Sequence, residues 1–408
     1  MKSYALAVVG LIFLLWLLAL AGSVSAAGNT YTVNTTSYTN DGSCDPLSSG
    51  DCTIWEAINA AIGGDVDTIA FDIPFTDTNY GYNTTGVWTI VLTRNLPSVT
   101  GEIVDGTTQA MNVVSDANPY GPEIEISGEG QGSYQTSWPI GSNNTIKGLA
   151  INRCSYYCLV VNGDGNTIIG NYIGTDATGS TDVTDGLSGI LLGNGTDNNV
   201  IGGPSDADRN VISGLTQGGI RIFQTTGNTT GNVIQGNYIG TDRTGTQPVG
   251  NGYGIKIESE AHDNTIGPGN LIAFNSEDGV WVHDQNTDGN TITQNSIHSN
   301  GDLGIDLTND GNDSVEAPVF SSHTCHSASG TAPINAAVEL FTGPDDEGQT
   351  YLTTVFADGS GNWSASGFLA DETYLTATAT DTDGNTSEFS SVAGCGLRGY
   401  VPLAAKRY

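Results

Sequence analysis

Five short stretches of the chain begin with glycine and then alternate apolar residues with residues that could bind or react. They are Gly-Ile-Leu-Leu, Gly-Ile-Arg-Ile, Gly-Ile-Lys-Ile, Gly-Val-Trp-Val and Gly-Ile-Asp-Leu, starting at Gly189, Gly219, Gly254, Gly279 and Gly304. Successive side chains of a strand point to opposite faces, so Ile255 and Ile257 face one way and Lys256 the other. If these strands stack in register, their outward residues form columns with about 4.8 Å between coils.

Two such columns bring cations, aromatic rings and acids side by side. The first contains Leu191, Arg221, Lys256, Trp281 and Asp306, and the second Gly193, Phe223, Glu258, His283 and Thr308. Aromatic rings stack on sugar faces, and Arg or Lys pairs with carboxylates. The columns therefore predict a flat surface for an acidic polysaccharide, and the alternative is a solvated face of mixed polar residues. The predicted ligand-binding residues are Arg221, Phe223, Lys256, Glu258, Trp281, His283 and Asp306.

The acids of these columns allow an enzymatic alternative. Glu258 and Asp306 would lie two coils apart, about 10 Å, which is near the upper end for the carboxyl pair of an inverting glycoside hydrolase. A lyase would need clustered acids around Ca²⁺ and an Arg base, yet Arg221 has no acid trio in its column. The favoured interpretation is therefore a non-catalytic scaffold. The alternatives are a polysaccharide lyase or glycoside hydrolase, and a structural or adhesion component that binds no sugar.

A second repeated phrase, Asn followed by Thr, Val or Leu and then Ile, alternates with the glycine strands. It starts at Asn144, Asn166, Asn199, Asn210, Asn232, Asn264, Asn270 and Asn290. Steps of 22 residues between some of these positions, and of 25 between the last three glycine strands, define the coil of a solenoid. We predict a parallel β-helix with stacked Ile, Val and Leu inside. The asparagines are expected to occupy left-handed corners and to bond from coil to coil.

Longer steps between coils contain insertions, and two of these share the phrase Ile-Gly-Thr-Asp-x-Thr-Gly, starting at Ile173 and Ile239. Insertions in a solenoid become loops on one face, which is often the face that binds ligands. A pair of turns closed by Asp and Gly is the simpler interpretation. Before the coils, Thr53 and Glu56 have the spacing of a helical capping box. The apolar face of that helix, Ile54, Ala57, Ile58, Ala61 and Ile62, is expected to cover the open end of the solenoid.

The charge balance excludes one class of partner. The chain has 408 residues, with 11 Lys and Arg against 44 Asp and Glu, and its formal net charge is −33. Phosphate backbones and anionic membrane surfaces repel such a chain, so nucleic acid is not an expected partner. Polysaccharide or other cell-surface components are the expected partners.

The N-terminus predicts export. An apolar run from Ala5 to Ala21 follows Lys2 and ends in Val24-Ser25-Ala26, which is the pattern of a signal peptide over residues 1–26. An uncleaved anchor is the alternative, and no later segment is apolar enough to span a membrane. We expect a secreted or extracellular protein that associates with the cell surface.

Six cysteines in an exported chain predict disulfides. Pairing between neighbours in the sequence is the simplest arrangement and gives Cys44–Cys52, Cys154–Cys158 and Cys325–Cys395. The third would join the two ends of the last domain and would constrain the unfolded chain most. None of the cysteines has the spacing of a metal site.

From residue 317 the pattern changes to alternating strands of ordinary length joined by Gly and Asp turns. Residues 317–393 therefore predict a small β-sandwich, followed by a basic tail at 394–408. No cofactor is predicted. The alternative is Ca²⁺ at Asp381-Thr-Asp383-Gly-Asn385, although this stretch is more typical of a hairpin turn because its glycine falls too early for an EF-hand.

Several phrases together resemble exported bacterial proteins that have an N-terminal CSLREA motif and a right-handed parallel β-helix of the pectin-lyase-like type. They are Asp41-Gly-Ser-Cys44-Asp-Pro, Cys52-Thr-Ile-Trp-Glu56-Ala-Ile-Asn59-Ala-Ala and Asp67-Thr-Ile-Ala-Phe71, with the coil phrases above. The resemblance covers about residues 29–310, and one departure is Trp55 where the motif has Arg. The resemblance implies the fold and localisation at the cell surface. Because the family has no agreed active site, the resemblance implies no catalytic residue.

The division of the chain follows from these patterns. We predict an all-β protein, a right-handed parallel β-helix with an N-terminal helical cap and a small C-terminal β-sandwich. The cap and first rungs occupy 27–120, and the repeats occupy 121–316. Ala357 to Trp363 and Ala379 to Phe389 are similar to hairpins of bacterial immunoglobulin-like modules.

Overall fold

The computed structural model describes residues 28–38, 42, 44, 51–63, 66–82, 84, 86–111, 117–129, 137–183, 186–193, 195–224, 226–368 and 374–394. The predicted signal peptide and, apart from residue 394, the predicted basic tail lie outside these residues. So does Cys395, the predicted partner of Cys325, which is itself disulfide-bonded. In the described part of the chain, no helix is long and apolar enough to cross a membrane.

Three stacks of parallel strands form a β-helix, and each full coil contributes one strand to each stack. The described strands of the first sheet are Thr30–Val33, Thr68–Phe71, Ile103–Asp105, Thr145–Lys147, Thr167–Ile169, Val200–Gly202, Val233–Gln235, Thr265–Ile266 and Thr291–Ile292. Those of the second sheet are Trp88–Val91, Ile124–Ser127, Leu149–Asn152, Tyr172–Ile173, Val211–Ile212, Tyr238–Ile239, Leu271–Ala273 and Ser296–His298. Those of the third sheet are Trp138–Ile140, Tyr157–Val161, Ser188–Gly193, Gly218–Phe223, Tyr253–Glu258, Val280–His283 and Ile305–Thr308.

The interior of the β-helix is a set of apolar columns. Ile168 pairs with Ile201, which pairs with Ile234, and all three side chains are fully buried. Burying one such side chain is worth about 1.5–3 kcal/mol, so the columns provide most of the driving force for stacking. The prediction of a parallel β-helix is confirmed by this all-parallel register.

The recurrent asparagines form three buried ladders that run along the stack. The first ladder consists of Asn144, Asn166, Asn199, Asn232, Asn264 and Asn290 and ends on Asn312. The second is Asn171, Asn210, Asn237, Asn270 and Asn295, and the third is Asn251, Asn275 and Asn300. In the first, each backbone N–H donates to the Oδ1 of the next Asn at 2.9–3.2 Å, and up to Asn264 each Nδ2 donates to the same oxygen at 2.8–3.1 Å. The predicted coil-to-coil bonding of stacked amides is confirmed.

The prediction that these asparagines adopt left-handed backbone at the corners is wrong. In the first ladder up to Asn290 the preceding residues take that conformation: Asn143, Asn198 and Asp263 have φ of 61°, 56° and 55°, and the other preceding residues are glycines with positive φ. The terminal Asn312 is itself left-handed, with φ of 48°. Each earlier Asn of this ladder follows a corner residue because both its backbone N–H and its side-chain amide must point to the Asn of the next coil.

Two helices lie in the N-terminal coils that the structure describes, α1 at Ile54–Ala61 and α2 at Thr107–Met111. The predicted capping box is present, since the Thr53 hydroxyl accepts from the N–H of Glu56 and the Glu56 carboxylate accepts from the N–H of Thr53. The apolar face of α1 packs in the same buried cluster as Val33 and Phe71, at the first rungs. Ile62 departs from the prediction, because the helix ends at Ala61 and Ile62 is 60% exposed.

After the last coil, a short turn at Gly311–Ser314 leads into two antiparallel sheets that pack on each other as a small sandwich. Asn312, Asp313 and Ser314 in this turn have left-handed backbone, with φ of 48°, 51° and 46°. The described strands of one sheet are Val319–Thr324, Ser327–Thr331 and Asn362–Ser366, and those of the other are Ala337–Gly343, Thr350–Phe356, Tyr374–Thr380 and Ala393–Gly394. Trp363 and Ala365 of the first pack with Val338, Leu340 and Leu375 of the second. A short 3₁₀ turn, Asp206–Asp208, lies among the coils.

The sandwich covers the open C-terminal end of the β-helix. On the last strand of the first sheet, the N–H of Ile292 donates to the Thr386 hydroxyl at 2.9 Å. On that of the second sheet, the N–H of Ile297 donates to the carbonyl of Gly348 at 3.0 Å. An exposed strand edge is a site of aggregation, and these bonds occupy it.

The same covering extends to the third sheet and to a ladder. The N–H of Leu307 donates to the Glu388 carboxylate at 3.1 Å, and that of Asn300 donates to Glu347 at 3.1 Å. Glu347 thereby ends the third ladder with an acceptor from the sandwich. The sequence predicted the lid at the N-terminal end and did not predict this one.

We expect removal of one ladder amide to destabilise the β-helix. In Asn232→Ala, the N–H and the Nδ2 of Asn199 lose their buried acceptor, which should lower the free energy of unfolding by about 3 kcal/mol. Urea denaturation followed by circular dichroism measures the loss. Asn228→Ala, an exposed position one loop earlier, is the control and should change stability by less than about 0.5 kcal/mol. Equal effects of the two substitutions would contradict a structural role for the ladder.

We expect the contact between the sandwich and the last coil to stabilise the whole chain. Thr386→Val keeps the shape of a fully buried side chain but leaves the N–H of Ile292 without its acceptor. The free energy of unfolding should fall by about 1–3 kcal/mol. Thr331→Val, at an exposed position of the sandwich, is the matched control. Unchanged stability in Thr386→Val would show that the covering does not hold the coil end.

Candidate functional site

The register of the third sheet brings the predicted columns together on its outer face. Leu191 pairs with Arg221, Arg221 with Lys256, Lys256 with Trp281 and Trp281 with Asp306. We call this face the third-sheet wall and define it by Arg221, Phe223, Lys256, Glu258, Trp281 and His283.

The second column lies beside the first. Gly193 pairs with Phe223, Phe223 pairs with Glu258, and His283 pairs with Thr308. Phe223 and His283 are both half-buried, so part of each side chain faces solvent.

A three-residue ion cluster forms the centre of the wall. Glu258 Oε1 accepts from Arg221 Nε at 2.6 Å, and its Oε2 pairs with Lys256 Nζ at 2.7 Å. Arg221 Nη1 also donates to the Tyr157 hydroxyl at 2.8 Å. Both oxygens of the carboxylate are therefore occupied by cations from neighbouring positions.

The electrostatics of the cluster fix the charge of Glu258. Burial alone raises the pKa of this carboxyl, but the hydrogen bonds and charges of Lys256 and Arg221 outweigh burial and hold the pKa below its ordinary value. Burial likewise acts to lower the pKa of Arg221, and Tyr157 and Glu258 outweigh it. Glu258 is therefore an ionised carboxylate at neutral pH, which is unsuited to act as a general acid.

Aromatic rings cover both cations. Lys256 Nζ lies 3.8 Å from the centre of the Trp281 ring, and Arg221 Cζ lies 4.8 Å from the centre of Phe223. Such cation–π contacts are worth about 0.5–2 kcal/mol, so they hold the side chains as well as their charges. The wall is therefore a layer of aromatic rings and cations held together by non-covalent contacts.

The end of the wall is fixed by one hydroxyl. Thr308 Oγ1 accepts from Trp281 Nε1 at 2.6 Å and bonds His283 Nδ1 at 2.7 Å. The Trp281 and His283 rings meet nearly edge to face with their centres 5.1 Å apart. The indole N–H is thus already used, and a ligand can contact only the part of the Trp281 ring that Lys256 and His283 leave uncovered.

Two buried tyrosines next to the third-sheet wall were missed by the sequence analysis. Tyr157 holds Arg221, and Tyr253 precedes the glycine strand at Gly254; burial raises the pKa of Tyr253 to about 12. Tyr253 stands at a fixed offset from a recognised repeat and could have been found. Tyr157 lies on a strand that lacks the glycine phrase, so no pattern indicated it.

Asp306 is in register with Trp281 but belongs to a different environment. It lines a cavity of about 460 Å³ between the last coil and the sandwich, together with Asp302, Asp346 and Glu388. Burial, followed by the charges of Asp278, Glu388 and Asp302, raises the pKa of Asp306 to about 6. The structure therefore places the two candidate catalytic carboxyls in unlike surroundings, with Glu258 bound by cations and Asp306 surrounded by acids.

The shared insertion phrase forms loops closed by an aspartate. The Asp242 carboxylate accepts from the Thr244 hydroxyl and from the N–H groups of Thr246 and Gln247, and Asp176 makes the equivalent bonds in the first insertion. These parts of the insertions cover the second sheet, where Ala177 packs on Ala150, and do not border the wall. The simpler interpretation of the phrase, a pair of Asp and Gly turns, is confirmed.

The stretch that offered a Ca²⁺ alternative forms a turn. Asp381 Oδ1 accepts from the N–H groups of Asp383 and Asn385, both at 2.9 Å. Among the residues that the structure describes, no three His, Cys, Asp or Glu side chains are grouped so that they could hold a metal ion. The predicted pairs Cys44–Cys52 and Cys154–Cys158 are both formed.

Comparison with known proteins yields weak structural similarity. No protein-family model matches the chain, and a search of curated proteins finds no match. Among solved structures, the crystal structure of pectate lyase Pel9A has a TM-score of 0.27 at 16% identity, over 71% of this chain and 79% of that one. ORF18 of Geobacillus virus E2 has a TM-score of 0.26 at 11% identity, over 92% and 80%. Similarity this low establishes no shared activity, and the fold rests on the strand pairing itself.

Proposed function

We propose that this protein is an exported, non-catalytic β-helix that binds polysaccharide on its third-sheet wall. The observation that carries the proposal is the row of half-exposed rings, Phe223, Trp281 and His283, held in register beside Arg221 and Lys256. Rings in such a row can stack on successive sugar units of an extended chain.

The rigidity of the wall supports binding. Every side chain of the ion cluster has at least two partners, so little conformational entropy is lost when a ligand settles on it. Only 11 Lys and Arg occur in a chain of charge −33, and two of them lie here. An acidic polysaccharide would meet a less negative surface at the wall than over most of the molecule.

The state of Glu258 argues against the enzymatic alternative. A hydrolase of the inverting kind needs one protonated and one free carboxylate across the scissile bond. Glu258 is held ionised with both oxygens occupied, and Asp306 lies in the acidic cavity. The raised pKa of Asp306 would suit a general acid, but Glu258 is a poor base for activating water because both of its oxygens are engaged by cations.

The remaining parts of the proposal are the extracellular location of the protein and the role of its C-terminal sandwich. An N-terminal signal pattern, two formed disulfides and a charge of −33 suit an extracellular protein. We propose cell-surface association, membership of the CSLREA-type β-helix proteins, and an immunoglobulin-like origin for the sandwich. In this arrangement the sandwich closes the β-helix and the wall meets the polysaccharide.

Trp281→Ala should weaken polysaccharide binding at least tenfold, because the largest ring of the wall is removed. Affinity electrophoresis in gels containing pectin, alginate, cellulose or starch measures the retardation of the folded protein. Phe356→Ala is the control, since Phe356 is 72% exposed on the sandwich, outside the wall. Its retardation should equal that of the wild type.

Each outcome of this experiment has one meaning. Retardation that Trp281→Ala abolishes, without new reducing ends or unsaturated products, supports the proposal. Product formation that Glu258→Gln removes would overturn it in favour of an enzyme. No retardation in any polysaccharide would overturn it in favour of a structural or adhesion component.

A further inference from the structure

The outer face of the second sheet carries a separate group of cations and rings. Tyr172, Val211 and Tyr238 are neighbours in one outward column of this sheet. The first insertion loop folds over the column, with Ala177 fully buried there. The backbone N–H of Arg243, in the second insertion loop, donates to the carbonyl of Gly179 in the first at 2.8 Å. The two loops thus form one cover.

A cavity of about 440 Å³ lies under the edge of this cover. Its lining includes Gly121, Glu123, Tyr172, Asp206, Arg209 and Arg243. A side chain at Gly121 would place its Cβ 2.3 Å from the Tyr172 ring, so glycine is required for the wall of the cavity to approach the tyrosine. The volume falls in the range of small-ligand sites, about 300–1,000 Å³.

Two arginines reach this cavity, each stacked on a tyrosine. Arg209 Cζ lies 4.2 Å from the centre of the Tyr238 ring, and Arg243 Cζ lies 4.8 Å from that of Tyr120. Both charges act on Tyr172, whose pKa is raised by burial in spite of them. They therefore converge on one region although they lie 34 residues apart in the sequence.

The guanidinium groups are incompletely satisfied. The Nε atoms of Arg209 and Arg243 are buried, and neither has a hydrogen-bond partner among the described residues. Arg209 Nη2 pairs with Asp206 at 2.5 Å, but the side chain of Asp206 is 90% exposed. These Nε atoms are closed to solvent and therefore to a ligand, so a ligand in the cavity could bind the arginines only through their terminal Nη groups.

The charge of the lining selects the ligand. Glu123 and Asp206 balance the two arginines in number, and the charges of Asp176 and Asp242 also reach Tyr172, but Arg243 forms no ion pair with a carboxylate among the described residues. A guanidinium binds a carboxylate through two parallel N–H bonds, and tyrosine rings stack on sugar faces. A ligand with one carboxylate on a sugar ring fits both features.

We infer that this cavity binds the uronate unit of an acidic saccharide, with Arg243 and Arg209 on its carboxylate and Tyr172 beside its ring. The site lies on the second sheet and is independent of the third-sheet wall. The structural alternative is that the arginines only hold the loops through their tyrosines. The open cavity that both arginines line, and the lack of an ion pair for Arg243 among the described residues, argue against it.

Isothermal titration of the full-length protein with digalacturonate tests the inference. Binding should weaken at least tenfold in Arg243→Gln, which removes a charge-assisted contact. It should weaken similarly when the probe is the methyl ester, which has no carboxylate charge. Arg94→Gln is the matched control, because Arg94 stacks on Trp55 at 4.2 Å outside the cavity. Its affinity should equal that of the wild type.

A second measurement on the wild-type protein guards against misfolded variants. Arginine-directed labelling is mapped by mass spectrometry with and without digalacturonate. The saccharide should protect Arg209 and Arg243 from labelling and should not protect Arg94. The same protection should be seen in Trp281→Ala. Equal affinity for the methyl ester, equal loss in Arg94→Gln, or absence of protection at Arg243 would overturn the inference. Equal protection by inorganic phosphate would overturn the assignment to a sugar. Loss of protection in Trp281→Ala would assign the probe to the third-sheet wall.

Discussion

The bond from one buried asparagine amide to the next is the constraint on which this structure depends. Isoleucine columns drive the coils together, but apolar contact is non-directional and would tolerate a slip along the strand. Each ladder Asn fixes the next coil through two donors converging on one Oδ1. A shift of two residues would keep the isoleucines inside but would leave these amide groups unpaired in the interior. The ladders therefore set the register that the isoleucines alone do not.

Register is what gives the outer faces their chemistry. Arg221, Lys256 and Trp281 lie far apart in the sequence and become neighbours because their strands pair residue for residue. The ion cluster, the ring contacts and the Thr308 bonds then form between adjacent coils. The same constraint places Tyr172 and Tyr238 in one column of the second sheet, where the insertions can carry arginines to them.

The ends of the stack explain the rest of the chain. A parallel β-helix has an open edge on both sides, and each is closed by a different element. Helix α1 covers the first rungs with apolar side chains, whereas the sandwich supplies Thr386, Gly348 and Glu388 as acceptors to the last strands. The sandwich is thus part of the fold of the β-helix.

Much of the fold and of the third-sheet wall could be predicted from the sequence, because equivalent positions in successive coils have equivalent surroundings. Alternation within Gly-Ile-Lys-Ile predicts which side chain points outward, and the coil period predicts that Lys256 pairs with Trp281. Contacts between side chains of unlike repeats could not be predicted. The ion pairs of Arg221 and Lys256 with Glu258, and the hydrogen bond from Arg221 to the Tyr157 hydroxyl, have no periodic signal in the sequence. Asp306 matched its column in register, yet its surroundings come from the sandwich, whose docking no local pattern encodes.

The cavity on the second sheet was missed for a related reason. The phrase shared by the insertions ends in ordinary turns, and the informative residue, Arg243, is the variable position within it. Only the folding of one loop against the other brings it to Tyr120 and near Arg209.

Native-state hydrogen exchange tests the central claim most directly. If the ladders hold the register, the backbone N–H groups of Asn166, Asn199 and Asn232 should exchange only through global unfolding and be among the slowest in the chain. Exchange of these three amides as fast as that of the exposed turn at Asp206–Asp208 would contradict the account.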